Sequence, residues 1–120
     1  MSAFVVDDEE LIASTLELIL IHKGFKARAF VDAVDALCAA RSASPDFLLA
    51  DVMMPGVNGI ELAMQMTQLH PTCEVLLFSG QTATNGMLTE AASVGQHFEI
   101  LPKPVHPTEL LEKIDQLFAA

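Results

Sequence analysis

Tryptophan and tyrosine are absent from this chain, and lysine and arginine together number 6 against 16 aspartates and glutamates. A formal net charge of −10 repels a phosphate backbone unless the cations are gathered on one surface. Lys23, Lys26, Arg28, Arg41, Lys103 and Lys113 are instead scattered, without a basic run or interleaved aromatics for base stacking. Direct nucleic-acid binding is therefore not expected. Cysteine is scarce: Cys38 and Cys73 lack CxxC spacing and a histidine at ligand distance in sequence, so both read as reduced structural thiols. His22, His70, His97 and His106 are dispersed and suggest neither metal ligands nor a phosphohistidine. Long hydrophobic runs are missing as well. The most apolar stretch, Leu16 to Ile21, is broken by Glu17, and no charged segment precedes an early apolar one. Membrane insertion is not expected, and the expected location is the cytoplasm.

What the chain has is apolar content, 52% of its residues, distributed over 120 positions. That length suits one domain, residues 1–120, with strands covered on both faces. Short apolar runs alternate with segments of helical period, and Gly24, Pro45, Pro71 and Gly95 punctuate them. The pattern predicts strands near 3–6, 26–30, 47–51, 74–79 and 97–101, and helices near 9–23, 32–42, 58–69, 84–94 and 107–118. Short loops with intervening helices require a parallel α/β sheet with right-handed crossovers.

The first predicted helix has Asp8, Glu9 and Glu10 near its start and Lys23 before Gly24 at its end, which suits the helix dipole. Its core stripe is read as Ile12, Leu16, Ile19 and Leu20. Leu11, Thr15, Leu18 and Ile21 fall partly outside that stripe, as either the edge of a wide buried face or a docking surface. The last helix opens with Pro107 at the favoured first position and turns Leu110, Leu111, Ile114, Leu117 and Phe118 inward. Gly86 and residues of middling propensity make the helix near 84–94 the least secure. Residues 1–120 hold no segment that resembles an output module, so the domain is expected to act through its own surface.

Polar residues stand at the carboxyl ends of the predicted strands: Asp7 and Asp8 after the first, Asp51 after the third, Ser79 after the fourth and Lys103 after the fifth. In open parallel sheets this is where ligands bind. Taken singly, each has a plain structural reading: Asp7 and Asp8 as helix caps, Asp51 as a turn former, Ser79 as a local cap, Lys103 as a solvated lysine. As a set they converge. Three carboxylates at one site repel each other unless a divalent cation is shared, and an all-oxygen set suits Mg²⁺. A carboxylate beside Mg²⁺ is a nucleophile toward a phosphoryl group, which makes Asp51 the candidate acceptor. Lys103 supplies a point charge for the phosphoryl oxygens, and the Ser79 hydroxyl a hydrogen bond.

The motifs Asp7-Asp8-Glu9, Asp51-x-x-Met54-Pro55-x-x-Asn58-Gly59, Ser79-Gly80 and Lys103-Pro104 resemble the receiver domain of two-component response regulators, over essentially the whole chain. The resemblance implies a flavodoxin-like (βα)5 fold, a doubly wound parallel five-stranded sheet in order 2-1-3-4-5. It implies that Asp51 accepts phosphate from a histidine kinase or histidine phosphotransfer protein, and that Asp8 and Asp51 coordinate Mg²⁺ with help from Asp7 and the backbone carbonyl of Met53. It further implies that Ser79 turns toward the phosphoryl group, that Lys103 pairs with it and that the Lys103-Pro104 peptide is cis. Gly80, Gln81, Ile100 and Pro104 then belong to the switch and tuning positions.

The chain departs from the family pattern at Ile100, where an aromatic residue normally reads out the switch. Phe98, two residues earlier, is either a substitute or a strand-core phenylalanine. Met53 cannot orient an attacking water whereas the Gln81 amide can, which implies slow to intermediate autodephosphorylation. Pro102 lacks a backbone donor and fits an edge strand.

The leading expectation is thus a signalling module, not an enzyme, catalysing only its own phosphotransfer and autodephosphorylation and passing the signal to an unidentified downstream protein. A phosphatase of the haloacid dehalogenase kind needs an acid/base aspartate at position 53, which is Met53. A flavin or nucleotide binder needs a phosphate-binding loop after the first strand, and Asp7-Asp8-Glu9-Glu10 repels phosphate there. A degenerate receiver acting by protein binding alone is the remaining alternative.

Overall fold

A computed structural model describes residues 1–79, 98–103 and 105–119. Five strands form one parallel sheet: β1 (Ser2–Val6), β2 (Lys26–Phe30), β3 (Phe47–Asp51), β4 (Glu74–Ser79) and β5 (Glu99–Pro102), in spatial order β2-β1-β3-β4-β5. Between and after them run α1 (Glu10–Lys23), α2 (Ala33–Ala40), α3 (Gly59–Leu69) and α4 (Pro107–Leu117). This is the expected doubly wound order, which reverses direction between β1 and β3. The helix expected near 84–94 lies outside the described residues.

Alternation along each strand explains why the central strands read as unbroken apolar runs. Phe4, Val6, Leu48, Ala50, Val75 and Leu77 point to one face and pack with α2 and α3. Ala3, Val5, Phe47, Leu49, Leu76 and Phe78 point to the other and pack with α1 and α4. With both faces covered, β3 is buried at all five positions, while the edge strand β2 is only partly so. Each fully buried leucine or phenylalanine contributes about 1.5–3 kcal/mol through removal from water.

Local chemistry sets the helix boundaries. Gly24 ends α1 at φ 114°, a left-handed conformation that disfavours a side chain, and its N–H bonds the Leu20 and Ile21 carbonyls. The Asp32 carboxylate accepts from the Val34 N–H at 2.7 Å, so α2 starts one residue later than its cap and ends at Ala40, short of the expected 42. Asn58 caps α3 by accepting from the Glu61 N–H at 2.9 Å, while its side-chain amide donates to the Glu61 carboxylate at 3.1 Å.

Two details differ from the periodicity reading. The buried residues of α1 are Ala13, Leu16 and Leu20, whereas Ile12 and Ile19 are half-buried. Ala13 brings the helix close to the sheet and rotates the stripe. Leu11 is 79% exposed, and Leu18 and Ile21 are exposed with it. Strand β5 begins at Glu99 instead of 97 and includes Pro102. Phe98 therefore precedes the strand and, with Ile100, packs against the α2–α3 side of the core. Among the described residues no helix is long and apolar enough to cross a membrane.

Candidate functional site

The carboxyl ends of β1, β3, β4 and β5 bring the site together, and backbone bonds continue beyond the strands to position it. The Asp7 N–H donates to the Phe30 carbonyl at 3.1 Å, so the β1–β2 ladder carries through to the first acidic residue. Alternation then separates the acidic pair: Asp7 is wholly buried and Asp8 exposed. Oδ1 of Asp7 accepts from the Glu9 N–H at 2.8 Å, which turns the chain into α1. Oδ2 of Asp7 is buried and has no hydrogen-bond partner among the described residues. The nearest cation to it is the Lys103 ammonium at 3.6 Å.

Asp51 ends β3 and is 3% exposed. Its Oδ1 accepts from the Met53 N–H at 3.2 Å and its Oδ2 from the Lys103 ammonium at 3.0 Å. The backbone beneath Asp51 is held by α3. A Cβ on Gly59 would sit 2.2 Å from the Asp51 carbonyl oxygen, so only glycine permits this approach. The Gly59 N–H in turn donates to the Val52 carbonyl at 3.0 Å.

Ser79 closes β4 with 6% exposure, and its carbonyl accepts from the Lys103 N–H at 3.0 Å. That bond extends the β4–β5 pairing one step past Pro102, whose missing donor faces the open edge of the sheet. Lys103 is delivered between the carboxylates and over the Phe78 ring, with its ammonium 5.2 Å from the ring centroid.

The charges are unbalanced. Burial pushes the Asp7 carboxyl above its usual range and the charges of Asp51 and Asp8 add to this, against the Glu9 N–H and the Lys103 charge. Burial lowers Lys103, but its hydrogen bond to Asp51 and the charges of Asp51, Asp7 and Glu9 outweigh that, so it is raised overall. Carboxylate oxygens of Asp7, Asp8 and Asp51 all lie within 4.8 Å of one another. Three carboxylates with one ammonium, one oxygen of them buried and unpartnered, fit a hard divalent cation with oxygen ligands.

Of the residues singled out in the sequence, Asp7, Asp8 and Asp51 cluster, Lys103 pairs with Asp51 and Asp7, and Ser79 lies on the adjoining strand end. Met53 follows β3 with its side chain exposed. Ile100 is half-buried in the core away from this cluster. Gly80, Gln81 and Pro104 lie outside the described residues. Sequence reasoning missed why Gly59 belongs to the motif, and it missed the ring of Phe78 beneath Lys103.

Comparison with known proteins agrees with this arrangement. Residues 3–115 match the family model described as response regulator receiver domain. The DNA-binding transcriptional regulator NtrC of Klebsiella pneumoniae is 33% identical over 116 residues, covering 95% of this chain and 24% of NtrC. The transcriptional regulatory protein CreB of Escherichia coli (strain K12) is 30% identical over 97% of this chain and 50% of CreB. The chain thus spans a quarter to a half of these relatives. Among solved structures, the chemotaxis protein CheY4 of Vibrio cholerae superposes with a TM-score of 0.83 at 26% identity, covering 98% of both chains. The response regulator TrrA of Thermotoga maritima, in complex with Mg²⁺-BeF, superposes at 0.82 with 26% identity, over 98% of this chain and 100% of TrrA. The family match over nearly the whole length and the shared sheet order agree with the acidic cluster at the strand ends: the chain belongs to the response regulator receiver domain family.

Proposed function

We propose that this receiver accepts a phosphoryl group on Asp51 from a phosphohistidine on a histidine kinase or histidine phosphotransfer protein, in a Mg²⁺-dependent reaction. The observation that carries the reading is the position of Asp51: nearly buried, hydrogen-bonded to Lys103 at 3.0 Å, and within a cluster of three carboxylates. The presence of Mg²⁺-BeF in the TrrA structure supports the choice of cation.

An Asp51 carboxylate oxygen attacks phosphorus, the P–N bond to the imidazole breaks, and the electron pair leaves with the imidazole nitrogen, which takes a proton from solvent. Asp7, Asp8, Asp51 and the Met53 backbone carbonyl would hold the cation, which when bound neutralises charge on the transferring oxygens. Lys103 stands beside the Asp51 carboxylate and can pair with the phosphoryl group once Asp51 is phosphorylated. Ser79, at the end of β4, would supply a hydroxyl at the same carboxyl end of the sheet. The role is that of a self-modifying switch and not of an enzyme acting on a separate substrate. Phosphorylation adds charge at one end of the sheet and shifts the population toward a form with different affinity for a downstream protein.

The test is transfer of labelled phosphate from a phosphohistidine protein. The reading expects at most one labelled phosphoryl group per chain, on this chain, with transfer lost on chelation of divalent cations. Continuous release of inorganic phosphate over many turnovers without a labelled chain would contradict it.

A further inference from the structure

Lys103 reaches the site from the exposed edge strand, and a flexible side chain placed there needs more than one fixed point to stay over the acceptor. Its ammonium bonds Asp51 at 3.0 Å and lies 3.6 Å from Asp7, but both are anionic groups that a cation or a phosphoryl group also engages. The third neighbour is different in kind. The Phe78 ring lies 5.2 Å from the ammonium, is wholly buried, and belongs to β4 directly before Ser79. Its backbone is pinned in turn, because the Phe78 carbonyl accepts from the Val52 N–H at 3.0 Å, next to Asp51.

We infer that Phe78 is a positioning residue, a carboxylate-independent anchor that holds the Lys103 ammonium at the site whatever the state of Asp51. An aromatic face attracts an ammonium without offering a lone pair that competes for its N–H donors. All three donors of Lys103 stay available for the carboxylates before transfer and for the phosphoryl oxygens after it. Conversion of Asp51 to an acyl phosphate removes the charge of the acceptor carboxylate, while the ring is unchanged by that step, so the lysine turns about a fixed point instead of being released. This role rests on the proposed acceptor function of Asp51, but the placement of Lys103 can be measured apart from it.

Two substitutions separate the ring's face from its bulk. Phe78 and Lys103 both line an open apolar cavity of about 450 Å³ between α1 and α4, bordered by Leu16, Ile19 and Val105. Phe78→Tyr keeps the aromatic face and Phe78→Leu keeps only apolar bulk.

The experiment follows the Lys103 ε-methylene resonances by NMR in the intact chain, in wild type, Phe78→Leu, Phe78→Tyr and the same three carrying Asp51→Asn, alongside the rate of phosphorylation. Upfield ring-current shifts of the Lys103 ε-protons are expected in wild type and Phe78→Tyr, persisting with Asp51→Asn, and lost in Phe78→Leu. Phosphorylation of Phe78→Leu is expected to slow roughly fivefold, with rescue in Phe78→Tyr. Unchanged Lys103 shifts in a folded Phe78→Leu, or their disappearance on Asp51→Asn alone, would overturn the inference. If wild type takes no phosphoryl group, the acceptor reading fails while the NMR series still decides the anchor.

Discussion

The Lys103 ammonium lies 3.0 Å from Oδ2 of Asp51 and is the cation shared by Asp51 and the buried Asp7. Removing it leaves two nearly buried carboxylates with one backbone N–H each and no cationic partner among the described residues. Because about a quarter of the Lys103 side chain is exposed, the loss is smaller than for a fully buried pair. Lys103→Met is expected to cost about 2 kcal/mol of stability in metal-free buffer, measured by urea unfolding near neutral pH. An unchanged unfolding midpoint would mean that the pair contributes nothing.

Asp7 behaves in the opposite sense. Its carboxyl is raised by burial, so the folded state holds that proton more tightly than the unfolded chain does. The resulting penalty is present above the folded-state pKa, declines as pH falls through it, and is gone below the ordinary aspartate value of about 3.9. Asp7→Asn should therefore make the metal-free protein more stable near neutral pH, with the gap narrowing as the solution is acidified. Unfolding curves of both proteins in chelator across that window measure it. Added Mg²⁺ should stabilise wild type by mass action and have little effect on the variant.

Gly59 tests how tightly the acceptor's backbone is held. A methyl group there meets the Asp51 carbonyl oxygen at 2.2 Å, and neither partner is a flexible side chain. Gly59→Ala is expected to lose about 2 kcal/mol or more and to weaken Mg²⁺ binding, since Asp51 must move. Denaturation together with a Mg²⁺ titration gives both quantities. Wild-type behaviour in both would contradict the close approach.

The two thiols should differ sharply. Cys38 is exposed, whereas Cys73 is buried, and its thiol is pushed up to about 12 by burial and by the charges of Asp46 and Glu74. A thiol-reactive disulfide reagent at mildly alkaline pH should titrate Cys38 promptly in the native protein and Cys73 only after denaturation. Prompt reaction of both would show that Cys73 is accessible.

Much of this arrangement is legible in the sequence because its signals are local. Apolar runs such as Phe47 to Ala50 mark strands covered on both faces, and a polar residue following each run marks a strand end. Asp7, Asp8, Asp51 and Lys103 could be placed together on that basis alone. What could not be read depends on contacts far apart in the chain. The differing burial of Asp7 and Asp8 follows from strand alternation, but the orphaned oxygen of Asp7 follows from how Lys103 divides itself between two carboxylates. The rotation of the α1 stripe onto Ala13 depends on how closely the helix settles on the sheet. Glu17, which interrupts an apolar run, accepts from the Ala29 N–H at 2.8 Å and so covers a donor on the open edge of β2. No periodicity encodes that pairing.

The most direct test of the acceptor role is intact-mass measurement after incubation with a small phosphoryl donor and Mg²⁺, on wild type and Asp51→Ala. The account predicts a single phosphoryl adduct on wild type, absent from Asp51→Ala and absent when divalent cations are chelated. No adduct on wild type, or an equal adduct on the variant, would contradict it.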